Sequence, residues 1–227
     1  MVWMTNKVLA IIPARGGSKG FPKKNIALLN GLPLIAWTIQ ASLKSKYICK
    51  TLVTSDSEEI LDISNHYGAE VLKRPDEYAT DSSSSEDVVR HTLSSLKQEF
   101  DYIILLQPTS PLRNAEDIDA AFELFFVSKA TSLISVCEVD NKLYKAFKKD
   151  DNGYLSGISN NKYPFMRRQD LPKAFMSNGA IYIVEVDSFL KNNSFYSNKT
   201  VSYKMPEERS VDIDSKEDLD RIESQKI

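Results

Sequence analysis

Between Ile12 and Asn25 the chain reads Ile-Pro-Ala-Arg-Gly-Gly-Ser-Lys-Gly-Phe-Pro-Lys-Lys-Asn, which sets four cations around three glycines, and no acidic residue precedes Asp56. Gly16, Gly17 and Gly20 let the backbone turn sharply and bring N–H groups close to a ligand. Arg15, Lys19, Lys23 and Lys24 add charge-assisted donors. The combination predicts a polyphosphate site built from Arg15, Gly16, Gly17, Ser18, Lys19 and Lys24. Arg15 and Lys24 are the expected direct contacts, Lys19 comes next, and Lys23 is the one expected to stay solvated. The competing reading is a surface turn with solvated lysines. The apolar run Val8–Ile12 just before it reads as a buried strand and favours the ligand site. Two familiar phosphate loops are excluded. Lys19 is followed by Gly20-Phe21-Pro22, not by Ser or Thr opening a helix, and the glycine spacing is not Gly-x-Gly-x-x-Gly.

A second constellation is Asp212-Ile213-Asp214. Strand alternation would put both carboxylates on one face with Ile213 buried behind them. Two aspartates suit Mg²⁺ (or Mn²⁺), which takes few protein carboxylates and completes its shell with phosphate and water oxygens. Alone, Asp-x-Asp also describes strand ends and caps. A third is the turn at Gln107-Pro108-Thr109-Ser110, which offers an amide and two hydroxyls.

These residues must be positioned by elements that alternate at the spacing of βαβ units. Strands are expected at Val8–Ile12, Thr51–Thr54, Val71–Leu72, Tyr102–Leu106, Leu133–Val136, Gly179–Val184 and Thr200–Met205. Helices are expected at Leu34–Ser42, behind a Gly31-Leu32-Pro33 turn, at Ser57–His66, at Ser85–Phe100 and at Ala115–Val127. Asp56 is the expected cap of the second, with Glu59 three residues on, and Asn114 caps the fourth. Ser215 with Asp218 caps a last helix. The loops after the first strands, carrying Arg15, Asp56, Arg74 and Gln107, can then converge beyond the strand ends on one cleft.

From Asn141 to Lys173 the rhythm breaks. Eight Lys or Arg face three acids there, in a stretch too long for an ordinary connection. An excursion at about 141–173 with some strand of its own is expected, inside one domain spanning 1–227. The length of 227 residues suits a single core. A net charge of −2 and a pI near 5.8 exclude a general nucleic-acid binder. No apolar run approaches the ~18 residues of a membrane helix. Cys49 and Cys137 are isolated, which fits reduced thiols in the cytoplasm and no structural zinc. His66 and His91 both fall in helix-like segments and are read as structural.

The ordered blocks resemble the acylneuraminate cytidylyltransferases, which join CTP to a nine-carbon 2-keto sugar acid and release pyrophosphate. They are the Arg15 loop, Arg74-Pro75, Ala79–Ser85, Leu105–Arg113, Arg168–Pro172, Asn178–Tyr182 and Ser210–Asp214. The resemblance covers almost the whole chain. It implies a Rossmann-like α/β fold of the nucleotide-diphospho-sugar transferase type, with a mostly parallel sheet flanked by helices. Positions matching Asn25, Arg74 and Ser85 would surround the cytosine and ribose. Positions matching Gln107, Asn178, Tyr182, Phe195 and Tyr196 would meet the sugar, beside Thr109 and Ser110. The excursion would reach across a two-fold homodimer and lend Lys145 and Arg168 to the neighbour's site. Asp212 is expected on the metal, and as a possible acceptor of the sugar's proton. Where sialic-acid members often read Phe-Arg-Pro-Asn-Gly, this chain has Phe175-Met176-Ser177-Asn178-Gly179. The lost cation leaves N-acetylneuraminic acid, a legionaminic-type acid and other 2-keto acids open as acceptors. A metal-dependent glycosyltransferase using a nucleotide-sugar is the rival class. A nucleotide-binding regulator without turnover is a third.

Overall fold

A computed structural model describes residues 6–17 and 20–224. Ser18 and Lys19 of the cationic loop lie outside the described residues.

The chain begins with β1 (Val8–Pro13), a small hairpin of β2 (Leu28–Leu29) and β3 (Leu32–Pro33), and α1 (Leu34–Lys44). The expected turn at Gly31-Leu32-Pro33 is this hairpin, closed by Asn30 and Gly31, both at positive φ. Next come β4 (Lys50–Ser55), α2 (Glu58–His66), β5 (Glu70–Lys73), α3 (Ser85–Ser95) and β6 (Tyr102–Leu105). The helix α3 ends five residues before the expected Phe100, its C-cap Leu96 turning to extended backbone. Then follow α4 (Ala115–Val127), β7 (Ser132–Val139), a hairpin of β8 (Phe147–Lys149) and β9 (Leu155–Gly157), and the long β10 (Ala174–Glu185). The last elements are α5 (Val186–Asn192), β11 (Thr200–Lys204) and α6 (Lys216–Ser224).

Seven strands form one sheet in the order β11-β7-β10-β6-β1-β4-β5. All neighbours run parallel except β10, which is antiparallel to both β6 and β7. The chain winds from β1 outward through β4 and β5, then returns to the other side of β1 with β6. That reversal opens a crevice beyond the ends of β1 and β6, where ligands of open α/β sheets bind.

Alternation along β1 explains the layers. Val8, Ala10 and Ile12 pack with Ile35 and Ile39 of α1 and Ile118 and Phe122 of α4. Leu9 and Ile11 face the other way, onto Val89 of α3 and Phe189 of α5. A strand covered on both faces reads as an unbroken apolar run, and Val-Leu-Ala-Ile-Ile does. Among the described residues no helix is long and apolar enough to cross a membrane.

The excursion after Asn141 carries the β8–β9 hairpin and short 3-10 turns. Tyr154, Leu155, Ile158 and Phe165 stand exposed along it.

Candidate active site

The loop after β1 is anchored by a residue assigned a different task in the sequence. Asp56 does not cap α2; the N-cap is Ser57, which makes no side-chain capping bond. The Asp56 carboxylate instead accepts a 2.9 Å hydrogen bond from the Gly16 N–H and lies 3.8 Å from the Arg74 guanidinium. A helix cap is replaceable by water at an open end, whereas the half-buried Gly16 amide needs an acceptor within the fold, and the carboxylate supplies it. Gly16 is required by proximity: a Cβ at that position would sit 2.9 Å from the Ser57 Cβ.

A cleft of about 500 Å³ opens above this anchor. Arg15, Gly20, Phe21, Lys24 and Asn25 of the first loop line it, with Arg74, Tyr78, Thr80, Asp81 and Ser83–Ser85 on one side. Gln107, Pro108, Thr109, Asp212 and Asp214 form the other. The two expected phosphate cations are held by acids. Arg15 Nη1 lies 2.7 Å from Asp81 Oδ1, and Lys24 Nζ lies 2.8 Å from Asp214 Oδ1. Lys23 adopts a left-handed backbone (φ 56°) and turns away to Glu59, 2.7 Å off. Arg74 is buried, and its Nε has no hydrogen-bond partner. Its pKa is lowered, first by burial and then by the Arg15 charge, while Asp56 raises it. The two neighbouring guanidiniums face different acids, Arg15 toward Asp81 and Arg74 toward Asp56, and their donors have the chemistry to take an anion. Asn25 is buried, its Nδ2 donating to the Arg15 carbonyl at 3.0 Å. Of the serine run, Ser84 is the cap of α3, in a reciprocal box with Asp87, and Ser85 is the first helical residue.

Asp212 and Asp214 share the cleft but not a strand. The segment forms no strand: the Ile213 N–H donates to the Thr109 carbonyl at 2.8 Å and the Asp214 N–H to Asp218 Oδ2 at 3.2 Å. The Asp214 amide turns to the start of α6 and not to a neighbouring strand, so the expected strand is corrected to an irregular segment between β11 and α6. Ile213 is fully buried with Leu29 and Leu34, which preserves the expected alternation. The Asp212 carboxyl is pushed above the ordinary aspartate range. Partial desolvation by the cleft walls is the main cause, at a residue that stays exposed on one side, and the Asp214 charge adds to it; a Thr109 hydrogen bond and Lys24 oppose it. Two close carboxylates that repel one another, open to a phosphate site, fit a divalent ion with oxygen ligands. Among the described residues no cluster of three His, Cys, Asp or Glu could hold a metal unaided. Phosphate and water oxygens would complete such a shell.

A side cavity of about 250 Å³ adjoins the cleft through the shared residues Ser85 and Gln107. Its walls include Leu105, Ile134, Tyr182, Phe195 and Tyr196. Phe195 belongs equally to the core, packed on Phe189 and Tyr182. Tyr196 is exposed at the rim. Four expected sugar contacts lie elsewhere. Asn178 is buried beneath the site: its Oδ1 accepts from Ser135 at 2.6 Å, and its Nδ2 donates to Ser210 at 2.9 Å. It therefore braces the segment that leads to Asp212. Ser110 is buried with no partner for its hydroxyl. Lys145 Nζ donates to the carbonyls of Pro164 and Met166, and Arg168 pairs with Asp140 at 3.3 Å. Both lie on the excursion, outside the cleft of their own chain.

From the sequence Asp56 is expected as a helix cap on a loop at the cleft, not as the anchor of the Gly16 amide, and Arg113 is given no role of its own. The position of Asp56 after a strand was a usable signal; nothing local marked Arg113 as a buried cation.

A family model described as Cytidylyltransferase matches residues 9–226. The chain is 36% identical to a protein of Escherichia coli named N-acylneuraminate cytidylyltransferase, over 96% of this chain and 51% of that protein. It is 32% identical to a Campylobacter jejuni protein named pseudaminic acid cytidylyltransferase, over 94% of each. A solved CMP:2-keto-3-deoxy-manno-octonic acid synthetase complexed with CTP superposes with a TM-score of 0.72 at 15% identity, covering 97% of this chain and 98% of that one. At that identity the likeness establishes the shared fold. The chain spans about half the length of the first curated relatives it matches. The family match runs from the first strand through the last helix and leaves no wall of the cleft outside it: the chain belongs to the cytidylyltransferase family.

Proposed function

We propose that this chain transfers CMP from CTP to the anomeric hydroxyl of a nine-carbon 2-keto sugar acid, releasing pyrophosphate. The observation that carries the reading is the pair of adjoining cavities, one lined by Arg15, Lys24 and Arg74 with Asp81, Asp212 and Asp214 and one walled by aromatic rings, joined at Ser85 and Gln107. The names of the E. coli and C. jejuni relatives support the substrate class.

The sugar hydroxyl oxygen attacks the α-phosphorus in line. An O–P bond forms there as the bridging bond to the β-phosphate breaks, pyrophosphate leaves with the electron pair, and the hydroxyl proton passes to the Asp212 carboxylate or to water. Arg15 and Lys24 exchange Asp81 and Asp214 for phosphate oxygens and absorb the charge that develops. Asn25, Arg74 and Ser85 face the base and ribose. Tyr182, Phe195 and Tyr196 enclose the sugar, with Gln107 and Thr109 at the junction of the two ligands. Asp212 and Asp214 would hold Mg²⁺ (or Mn²⁺), which polarises the α-phosphate when bound.

Incubation with CTP, Mg²⁺ and a panel of keto acids tests the reaction. The panel holds N-acetylneuraminic, legionaminic-type, pseudaminic and eight-carbon acids. Mass spectrometry should find a CMP-sugar, with pyrophosphate in equal amount, from at least one nine-carbon acid. Release of no pyrophosphate with any acid rejects the reading.

The working unit in this reading is a homodimer in the cytoplasm. The excursion exposes Tyr154, Leu155 and Phe165, an apolar surface that a second copy would cover by an isologous contact. Lys145 and Arg168 would then complete the partner's site. Mixing inactive Arg15→Ala chains with inactive Arg168→Ala chains should restore activity, because each mixed dimer regains one intact site. A monomer by sedimentation, or no recovery after verified subunit exchange, rejects the composite site.

A further inference from the structure

The turn that carries Gln107 is clamped from beneath by a buried guanidinium. Arg113 is 1% exposed. Its Nη1 donates to the Ala180 carbonyl at 2.9 Å and to the Gln107 carbonyl at 3.3 Å, and its Nη2 donates to Thr38 Oγ1 at 2.7 Å. Thr38 Oγ1 in turn donates to the Gln107 carbonyl at 3.4 Å. One guanidinium therefore ties together α1, the loop after β6 and the middle of β10.

Its contact on β10 falls where the ladder is interrupted. The pairing of β10 with β7 shifts register between Ser177 and Tyr182, and β10 joins β6 only from Tyr182 onward. Ala180 lies in that gap, and its carbonyl takes a donor from Arg113 instead of from a strand. Next to it Gly179 has φ +75°, and a Cβ there would sit 2.5 Å from Gln107 Oε1. The side chain of Gln107 is thus pressed against the bulge that Arg113 secures. Burying a guanidinium is costly, and burial lowers the Arg113 pKa to about 9. Its Nε is left without a partner. A core that needed only to be filled at this place would use an apolar side chain.

We propose that Arg113 is a positioning residue: it locks the Gln107 turn onto the bulged segment of β10 and so holds the Gln107 amide at the wall shared by the nucleotide cleft and the side cavity. This rests on the cytidylyltransferase reading above. The effect falls on the acceptor sugar more than on CTP, because the triphosphate loop is anchored separately through Asp56.

A double-mutant cycle with Gln107→Ala is the test. In the otherwise native chain, Arg113→Lys keeps the charge and loses the forked geometry. It is expected to raise the keto-acid KM by about tenfold or more, since a displaced positioning group costs rate steeply. The CTP Kd, measured by calorimetry, should stay within about twofold. In the Gln107→Ala background the same substitution should change the keto-acid KM by less than about twofold, because the group it positions is gone. Should Arg113→Lys fail to fold, Thr38→Val removes one partner with little change of shape and enters the same cycle. An equal effect in both backgrounds, an unchanged keto-acid KM, or a parallel loss of CTP affinity overturns the proposal. A native chain that makes CMP-sugar while the cycle is additive overturns this inference alone. A native chain that releases no pyrophosphate from any keto acid overturns the parent reading, and this inference with it.

Discussion

Alanine in place of Arg15 or of Lys24 should lower turnover by about 10²-fold or more, which corresponds to ~2.7 kcal/mol of lost transition-state stabilisation. The neighbouring Lys23→Ala should cost far less. The three described cations of this loop, Arg15, Lys23 and Lys24, could have been equivalent; their surroundings make them unequal. Lys24 is only 15% exposed at its side chain and reaches Asp214 across the cleft, while Lys23 is 68% exposed and pairs with Glu59 of α2. The left-handed backbone at Lys23 points these two lysines in different directions. Arg15 stands beside the buried Arg74, so its loss also removes half of a paired cation site. Exposed ion pairs such as Lys23–Glu59 contribute about 0–1 kcal/mol, and little is lost with that one. Steady-state kcat/KM for CTP, with a CTP titration on each variant, measures the contrast. Near-native turnover in both Arg15→Ala and Lys24→Ala would remove the phosphate assignment.

Asp212→Asn and Asp214→Asn are each expected to abolish Mg²⁺-dependent turnover while the fold survives. The amide keeps the shape of the carboxyl and loses the charge that holds a divalent ion. Thermal melting separates this from simple damage. The Asp212 pKa is raised in the folded chain, chiefly by desolvation and then by Asp214. A carboxyl raised in this way supports the fold below its unfolded pKa, and that support is lost as pH rises through the folded value. At neutral pH, without metal, the ionised Asp212 therefore works against folding, and Asp212→Asn should melt no lower than the native chain. A dead enzyme of undiminished stability is the signature of a residue kept for chemistry. A clear drop in melting temperature, or activity that persists in EDTA, would count against the metal pair.

Much of the architecture was legible because it rests on local patterns. Val8–Ile12 announces a strand buried on both faces by being apolar throughout, and Asn114 with Asp117 and Ser215 with Asp218 announce helix starts by reciprocal capping. The loops carrying Arg15, Arg74 and Gln107 follow strands, and strand ends on one edge of a parallel sheet must converge. Where local reading went astray, a distant partner had intervened. Asp56 has the spacing of a helix cap, but its carboxylate is claimed by the Gly16 amide forty residues earlier in the chain. Asp212 and Asp214 alternate as in a strand, yet the Ile213 N–H goes to Thr109 and the Asp214 N–H to the Asp218 carboxylate, and no ladder forms.

By itself the sequence determined the alternation of strands and helices, the cationic make-up of the loop after β1, and the family to which the chain belongs. Each follows from residue types within a few positions of one another. Tertiary structure alone decided which cations face the cleft, that Asn178 serves as a brace beneath it, and that Arg113 lies buried under the Gln107 turn. Burial and partner choice depend on segments separated by tens of residues. Thr38, Gln107, Arg113 and Ala180 meet only because α1, the loop after β6 and the bulge of β10 pack at one point.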